Sequence, residues 1–183
     1  ERLSVSDAIA RYARIDLLAT IHQDGTGNTP ALRAAAQAQG LRLAADDTWS
    51  DILSRLIVEK VEPHLGHGRP TVLDRYPASE AALARRAPDD PRVAERFELY
   101  ACGVELANGF GELTDPIEQR ARFEADMDEK ARIYGERYPL DEDFLSALAH
   151  MPPASGIAMG FDRVVMLATA APSLDRVQWA PSG

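Results

Sequence analysis

The chain has 183 residues, a formal net charge of −9, a hydrophobic share of 45% and one cysteine. That length suits one domain, and the apolar share is enough for a sizeable core. An acidic surface disfavours broad RNA binding, no run of about 18 apolar residues offers a membrane span, and a single cysteine excludes an internal disulfide.

The start, Glu1-Arg2-Leu3-Ser4, lacks the basic opening and apolar run of a signal peptide, and it lacks Met. A cytoplasmic piece of a longer chain is the expectation. Cys102 lies in an apolar run and reads as a buried small residue. His22, His64, His67 and His150 share no metal-ligand spacing with it, so a zinc site is not expected. The acidic residues could face a cationic substrate or a metal, and composition does not choose between them.

Residues 4–14 predict a short helix capped by Ser4 or Ser6, with Ala8, Ile9, Tyr12 and Ala13 as its apolar stripe. Residues 22–29 are a polar, glycine-containing loop. Asn28 or Thr29 caps a second helix, with Pro30 near its first position and Gly40 at its end. Asp47 or Thr48 opens a third, whose apolar face is Ile52, Leu53, Leu56, Ile57 and Val61 and whose end is Pro63. Residues 1–70 thus read as a mainly helical insertion without a catalytic spacing. Residues 63–70 read as a polar surface loop.

Thr71-Val72-Leu73 predicts a short strand, and Pro88-Asp89-Asp90-Pro91 a turn. The strongest β signal is 93–113, where Phe97, Leu99 and Ala101 alternate with Glu98, Tyr100 and Cys102 before Gly103 breaks the run; this predicts an antiparallel hairpin. Thr114 or Asp115 caps a long helix to about Tyr134, closed by Gly135, and Asp141 starts another to about His150. The last segment, 155–167, predicts a strand followed by a helix. The fold class expected is α+β, with an antiparallel sheet flanked by helices.

Two constellations could carry chemistry. In the last segment Gly156, Ala158 and Gly160 project to one strand face. A face without bulky side chains admits a flat ligand, and Arg163 in the first turn of the next helix adds a guanidinium to a helix N-terminus that favours phosphate. Close packing with a solvent-facing arginine explains the same residues equally well.

The second is the hairpin, which carries Glu98, Glu105 and Glu112 at a spacing of seven. Glutamate is depleted in strands, so its recurrence marks either a solvated face or a site for a metal or cationic ligand. Two carboxylates beside nucleotide phosphates suffice for Mg²⁺. Strict alternation sets Glu105 against Asn108, Phe110 and Glu112. One shared pocket therefore needs a bulge, expected near Ala107-Asn108-Gly109.

Arg96-Phe97-Glu98-Leu99-Tyr100 followed by Glu105-Leu106-Ala107-Asn108-Gly109-Phe110-Gly111-Glu112-Leu113-Thr114-Asp115 resembles a conserved segment of the class II lysyl-tRNA synthetases and their paralogues. Residues 156–167 resemble motif 3 of that class. The likeness extends over the whole chain, more weakly through 4–61. Three features lean toward the paralogues that attach (R)-β-lysine to elongation factor P: Ala158 where a lysyl-tRNA synthetase has glycine, the run from Tyr76 to Ala84, and the approach Met151-Pro152-Pro153-Ala154-Ser155-Gly156.

The resemblance implies an ATP- and Mg²⁺-dependent ligase. Glu98 and Glu105 would hold Mg²⁺ and ATP phosphates, and Arg163 would contact the γ-phosphate as the catalytic arginine. Asn108, Phe110 and Glu112 would line the amino-acid pocket, with Glu112 pairing the substrate ammonium, and Ala158 would shape that pocket. The implied partners are (R)-β-lysine or lysine and elongation factor P, with tRNA only if the chain is an ordinary lysyl-tRNA synthetase.

Motifs 1 and 2 of the class are not found; Phe97-Glu98 and Phe123-Glu124 are not the Phe-Arg-x-Glu run of motif 2. The expectation is therefore a partial catalytic domain over 1–183, inactive alone, whose missing motif 1 would supply any homodimer contact. A non-catalytic, synthetase-like binding module is the third alternative.

Overall fold

A computed structural model describes residues 1–180. Its first third is helical for the local reasons the sequence offers. The Ser4 hydroxyl accepts the Asp7 amide at 3.0 Å and caps α1 (Val5–Ala13). Asn28 caps α2 (Thr29–Ala38), with Pro30 in the first turn. Thr48 and Asp51 form a reciprocal capping box at α3 (Trp49–Leu56). Beyond Leu56 the helix widens into a π-helical stretch, Ile57–Val61, then tightens into a 3₁₀ turn, Glu62–His64. Pro63 lies in that turn, where the continuous helical run ends, although the α-helix proper stops earlier, at Leu56.

The sheet has five strands in the order β1-β2-β5-β6-β7: β1 (Arg2–Ser4), β2 (Thr71–Asp74), β5 (Arg96–Ala101), β6 (Val104–Gly111) and β7 (Ser155–Met159). Neighbours from β2 onward are antiparallel, as expected. β1 runs parallel to β2 and makes the sheet mixed. Three residues are too few to show alternation, so β1 was invisible in the sequence. A separate small hairpin joins β3 (Arg86–Ala87) to β4 (Asp90–Ala94) around the expected turn.

β5 and β6 are joined by a two-residue turn, Cys102-Gly103, with φ of +53° and +75°. Both residues occupy the left-handed region that tight hairpin turns require. Cys102 is therefore exposed, which corrects its assignment as a buried small residue: the turn geometry decided its place, not the apolar neighbours. In the loop before β2, too, not every residue is surface. Leu65 is buried at 1% exposure, while His64 stacks on Tyr12 at 4.4 Å.

One apolar cluster runs through Ile9, Leu32, Ile52, Leu53 and Leu56 of the helices and reaches Leu73, Tyr76 and Tyr100. A fully buried aliphatic side chain contributes about 1.5–3 kcal/mol, against about 0–1 kcal/mol for an exposed ion pair. This shared cluster is what fixes the helices on the sheet face that carries Tyr100.

α4 (Pro116–Tyr134) follows β6, capped by Asp115 and ended by Gly135 at φ +70°. α5 (Glu142–Leu148) follows, capped by Asp141. β7 then leads through Gly160 into α6 (Phe161–Ala168). Among the described residues no helix is long and apolar enough to cross a membrane.

Candidate active site

The hairpin register decides which side chains meet. Glu98 pairs with Asn108 and Arg96 with Phe110, but Tyr100 pairs with Glu105, because the register shifts beside Leu99 and Tyr100. Leu106 is the extra residue. A bulge is present as required, slightly before the expected Ala107-Asn108-Gly109, and it turns Glu105 onto the face of Glu98. Since Asn108 pairs with Ala158 and Phe110 with Gly156, all the expected site positions of β5, β6 and β7 share one face.

Glu98 is buried at 8% exposure. Its carboxylate accepts the Tyr76 hydroxyl at 2.5 Å, the Tyr100 hydroxyl at 2.8 Å and Arg96 Nη2 at 2.9 Å. A buried carboxylate is costly unless paired and hydrogen-bonded, and here it is both. Burial and the adjacent Glu98 charge push both tyrosine hydroxyls well above their ordinary range, so they stay protonated as donors. Arg96 lies 4.4 Å over the Tyr76 ring and donates from Nε to Asn108 at 3.4 Å. It thereby links the buried acid to the neighbouring pocket.

Arg163 sits in the first turn of α6, as expected. Its Nη1 donates to the Glu105 backbone carbonyl at 2.8 Å and to the Glu105 carboxylate at 3.2 Å. Gly160 lets the arginine stem fold back, since a Cβ there would lie 3.3 Å from Arg163 Cδ. With both contacts taken by Nη1, the rest of the planar fork is left for an anion. Glu105 lines a 210 Å³ cleft with Glu98, Glu62 and Tyr100, and a second one, 290 Å³, with Arg163 and Glu62.

Glu62 is the residue that sequence reasoning missed. The wide π turn carries it to the sheet, where the Tyr100 hydroxyl approaches it at 3.5 Å. Burial first, then the charges of Glu98 and Glu105, push its carboxyl above its ordinary value. In the sequence it looked like the polar last residue before a helix-ending proline, and no spacing tied it to the hairpin.

No group of three His, Cys, Asp or Glu side chains forms a protein-only metal cage among the described residues. Mg²⁺ held jointly with phosphates needs only one or two carboxylates. Glu105 and Glu62, with the Glu98 charge behind them, are a donor set that suits it. Their mutual repulsion favours a cation between them.

A further cavity, of 430 Å³, is lined by Asn108, Phe110, Glu112, Gly156, Ile157 and Ala158. All four expected pocket residues line it together. The Glu112 backbone is held from both sides. Its amide donates to the Ala154 carbonyl at 3.0 Å, and it bridges Ala84 on the other flank. Its carboxylate lies across β7, so that a Cβ on Gly156 would come within 2.6 Å of Oε1.

The family model of the class II tRNA synthetases (D, K and N) matches residues 1–182. An elongation factor P–(R)-β-lysine ligase of Klebsiella pneumoniae is 44% identical over 180 residues, 97% of this chain and 53% of the relative. The ligase of that name from Proteus mirabilis is 45% identical over 171 residues, 92% of this chain and 50% of its own length. That from Salmonella dublin is 44% identical over 177 residues, 95% and 52%. The chain thus spans about half the length of the curated relatives it matches.

Proposed function

This chain belongs to the class II tRNA synthetase family of the D, K and N type, and from that premise we propose that it forms the substrate-binding half of an ATP-dependent ligase acting on (R)-β-lysine and elongation factor P. The observation that carries the proposal is one sheet face holding an arginine–carboxylate cluster at one end and a cavity with an available carboxylate, Glu112, at the other.

In the reaction proposed, a carboxylate oxygen of β-lysine attacks the α-phosphorus of ATP. The bond to the β-phosphate oxygen breaks, pyrophosphate leaves, and an acyl-adenylate forms. A lysine amine of elongation factor P then attacks the acyl carbon, AMP leaves, and the amine loses its proton to solvent. Glu112 pairs the substrate ammonium, Phe110 and Asn108 flank the substrate, and Ala158 limits its depth. Arg163 neutralises the departing phosphates from a position fixed by Glu105. Mg²⁺, when bound with ATP, would add positive charge at the same phosphates, with Glu105 and Glu62 facing it, while Glu98, the other expected ligand, stays behind them, bound by Tyr76, Tyr100 and Arg96. Such catalysis is largely positioning and charge stabilisation.

Full activity is proposed to need the rest of the catalytic domain, as in relatives of twice the length, in a cytoplasmic setting where ATP and elongation factor P meet. The test is incubation of the protein carrying a complete catalytic domain with ATP, (R)-β-lysine and elongation factor P, read by intact mass. One β-lysyl addition to elongation factor P, dependent on ATP, is expected. Charging of a lysine tRNA instead would establish the aminoacylation alternative. Neither product would favour a binding module.

A further inference from the structure

We infer that Gln119 and Arg122, on α4 and outside the cavity, are positioning residues that clamp the segment at 81–85 and through it hold Glu112 and Phe110 in the amino-acid pocket; this rests on the pocket proposed above.

α4 is otherwise a highly charged, solvent-facing helix, and Gln119 is its one buried residue, at 1% exposure. Its Nε2 donates to the Ala82 carbonyl at 3.1 Å. One turn later Arg122, whose side chain is 12% exposed, aims Nη1 at three carbonyls: Ala81 at 2.6 Å, Ala82 at 3.2 Å and Ala84 at 2.8 Å. Its Nη2 donates to Glu118 at 2.6 Å, and Glu118 also accepts Arg86 Nε at 2.9 Å. Burial alone would raise the Glu118 carboxyl, but the bonds from Arg86 and Arg122 outweigh it and hold the group below its ordinary value. The arginine is therefore anchored on its own helix while its other nitrogen gathers the loop carbonyls.

Two routes lead from this clamp to the pocket. Leu113 donates to the Leu83 carbonyl at 3.0 Å and Arg85 to the Gly111 carbonyl at 2.8 Å, so residues 83–85 bracket the Glu112 backbone like an added strand. Ala81 and Ala84 pack with Ala94 against Phe110. The clamped segment is thus the backing of both pocket residues. Ala81, Ala82 and Ala84 have short side chains, so main-chain bonds place this stretch, while Arg85 is held separately by its ion pair with Glu95. A planar guanidinium spanning several carbonyls supplies such bonds, and an ammonium, a point charge, does so less well.

The experiment compares wild type with Arg122→Ala, Arg122→Lys and Gln119→Ala in the protein carrying a complete catalytic domain. Amide hydrogen exchange is followed at 83–85 and 111–113, and ATP–pyrophosphate exchange with (R)-β-lysine is measured. Arg122→Ala is expected to speed amide exchange in both segments at least tenfold and to raise KM for the amino acid about tenfold, leaving KM for ATP within twofold. Arg122→Lys should recover part of both effects, and Gln119→Ala should be milder. Unchanged amide exchange in Arg122→Ala overturns the clamp, as does a parallel rise of both KM values. A wild-type protein that shows no pyrophosphate exchange overturns the functional proposal instead, and the amide exchange still decides the clamp.

Discussion

Glu112 lays its carboxylate across the backbone of Gly156, so closely that a methyl group on Gly156 would come within 2.6 Å of Oε1. The atom encountered is the tip of a flexible side chain, not backbone. Gly156→Ala should therefore leave the fold intact, with a melting temperature within a few degrees of wild type, while displacing the carboxylate. Losing a hydrogen bond to a charged group costs about 1.5–3 kcal/mol, so the KM for (R)-β-lysine should rise by roughly tenfold or more. Pyrophosphate exchange beside a thermal melt separates the two effects. An unchanged KM would remove Glu112 from the pocket.

Glu98 binds three donors in a buried position, and its removal takes a charged acceptor from each of them. Glu98→Ala should destabilise by about 3–5 kcal/mol, as expected when one partner of a buried charged network is deleted. Tyr76→Phe removes a single donor and should cost about 1–3 kcal/mol. Urea titration gives both values. A loss below about 1 kcal/mol in Glu98→Ala would show the network to be dispensable for the fold.

Glu62 sets a pH dependence whose sign follows from its surroundings. Burial, Glu98 and Glu105 push its carboxyl up from an ordinary 4.5, and the Tyr100 hydroxyl opposes them only in part. The folded chain thus holds that proton more tightly than the unfolded one, and stability falls as pH rises from 4.5 through the raised folded value. Glu62→Gln abolishes this loss. The melting temperature of the variant relative to wild type should be higher at pH 7 than at pH 4. Equal differences at the two pH values would contradict the repulsion.

Ala158 faces the cavity from β7, opposite Asn108. Its methyl group is proposed to fill space that α-lysine needs for its α-amino group. Ala158→Gly should shift the ratio of activation rates toward α-lysine by roughly 10–200-fold, the usual worth of one methyl in a pocket. A ratio unchanged within twofold would show that Ala158 takes no part in the choice.

Much of this site was legible because its residues lie on a hairpin and a strand–helix unit, where period and spacing speak directly. Caps at Ser4, Asn28, Thr48, Asp115 and Asp141 are local chemistry and announced their helices. Even the bulge followed from requiring Glu105 and Glu98 on one face, although only the register places it at Leu106. Contacts made between distant segments were not legible. Glu62 reaches Tyr100 from 38 residues away, and Arg122 reaches Ala84 from the same separation. Strand β1 depends on a partner some 70 residues later. Cys102 failed for a different reason: its neighbours are apolar, but a two-residue turn needs positive φ.

The central claim is that Glu112 reads the cationic end of a lysine-like substrate, and the most direct measurement is ATP–pyrophosphate exchange with (R)-β-lysine in wild type and Glu112→Gln. Glutamine keeps the size and the hydrogen-bonding capacity and removes only the charge. With about 1.5–3 kcal/mol at stake, amino-acid-dependent exchange should fall roughly tenfold or more while ATP affinity stays within twofold. Wild-type exchange in Glu112→Gln would contradict the account, because a cavity that binds β-lysine equally well without that carboxylate does not read its ammonium through Glu112.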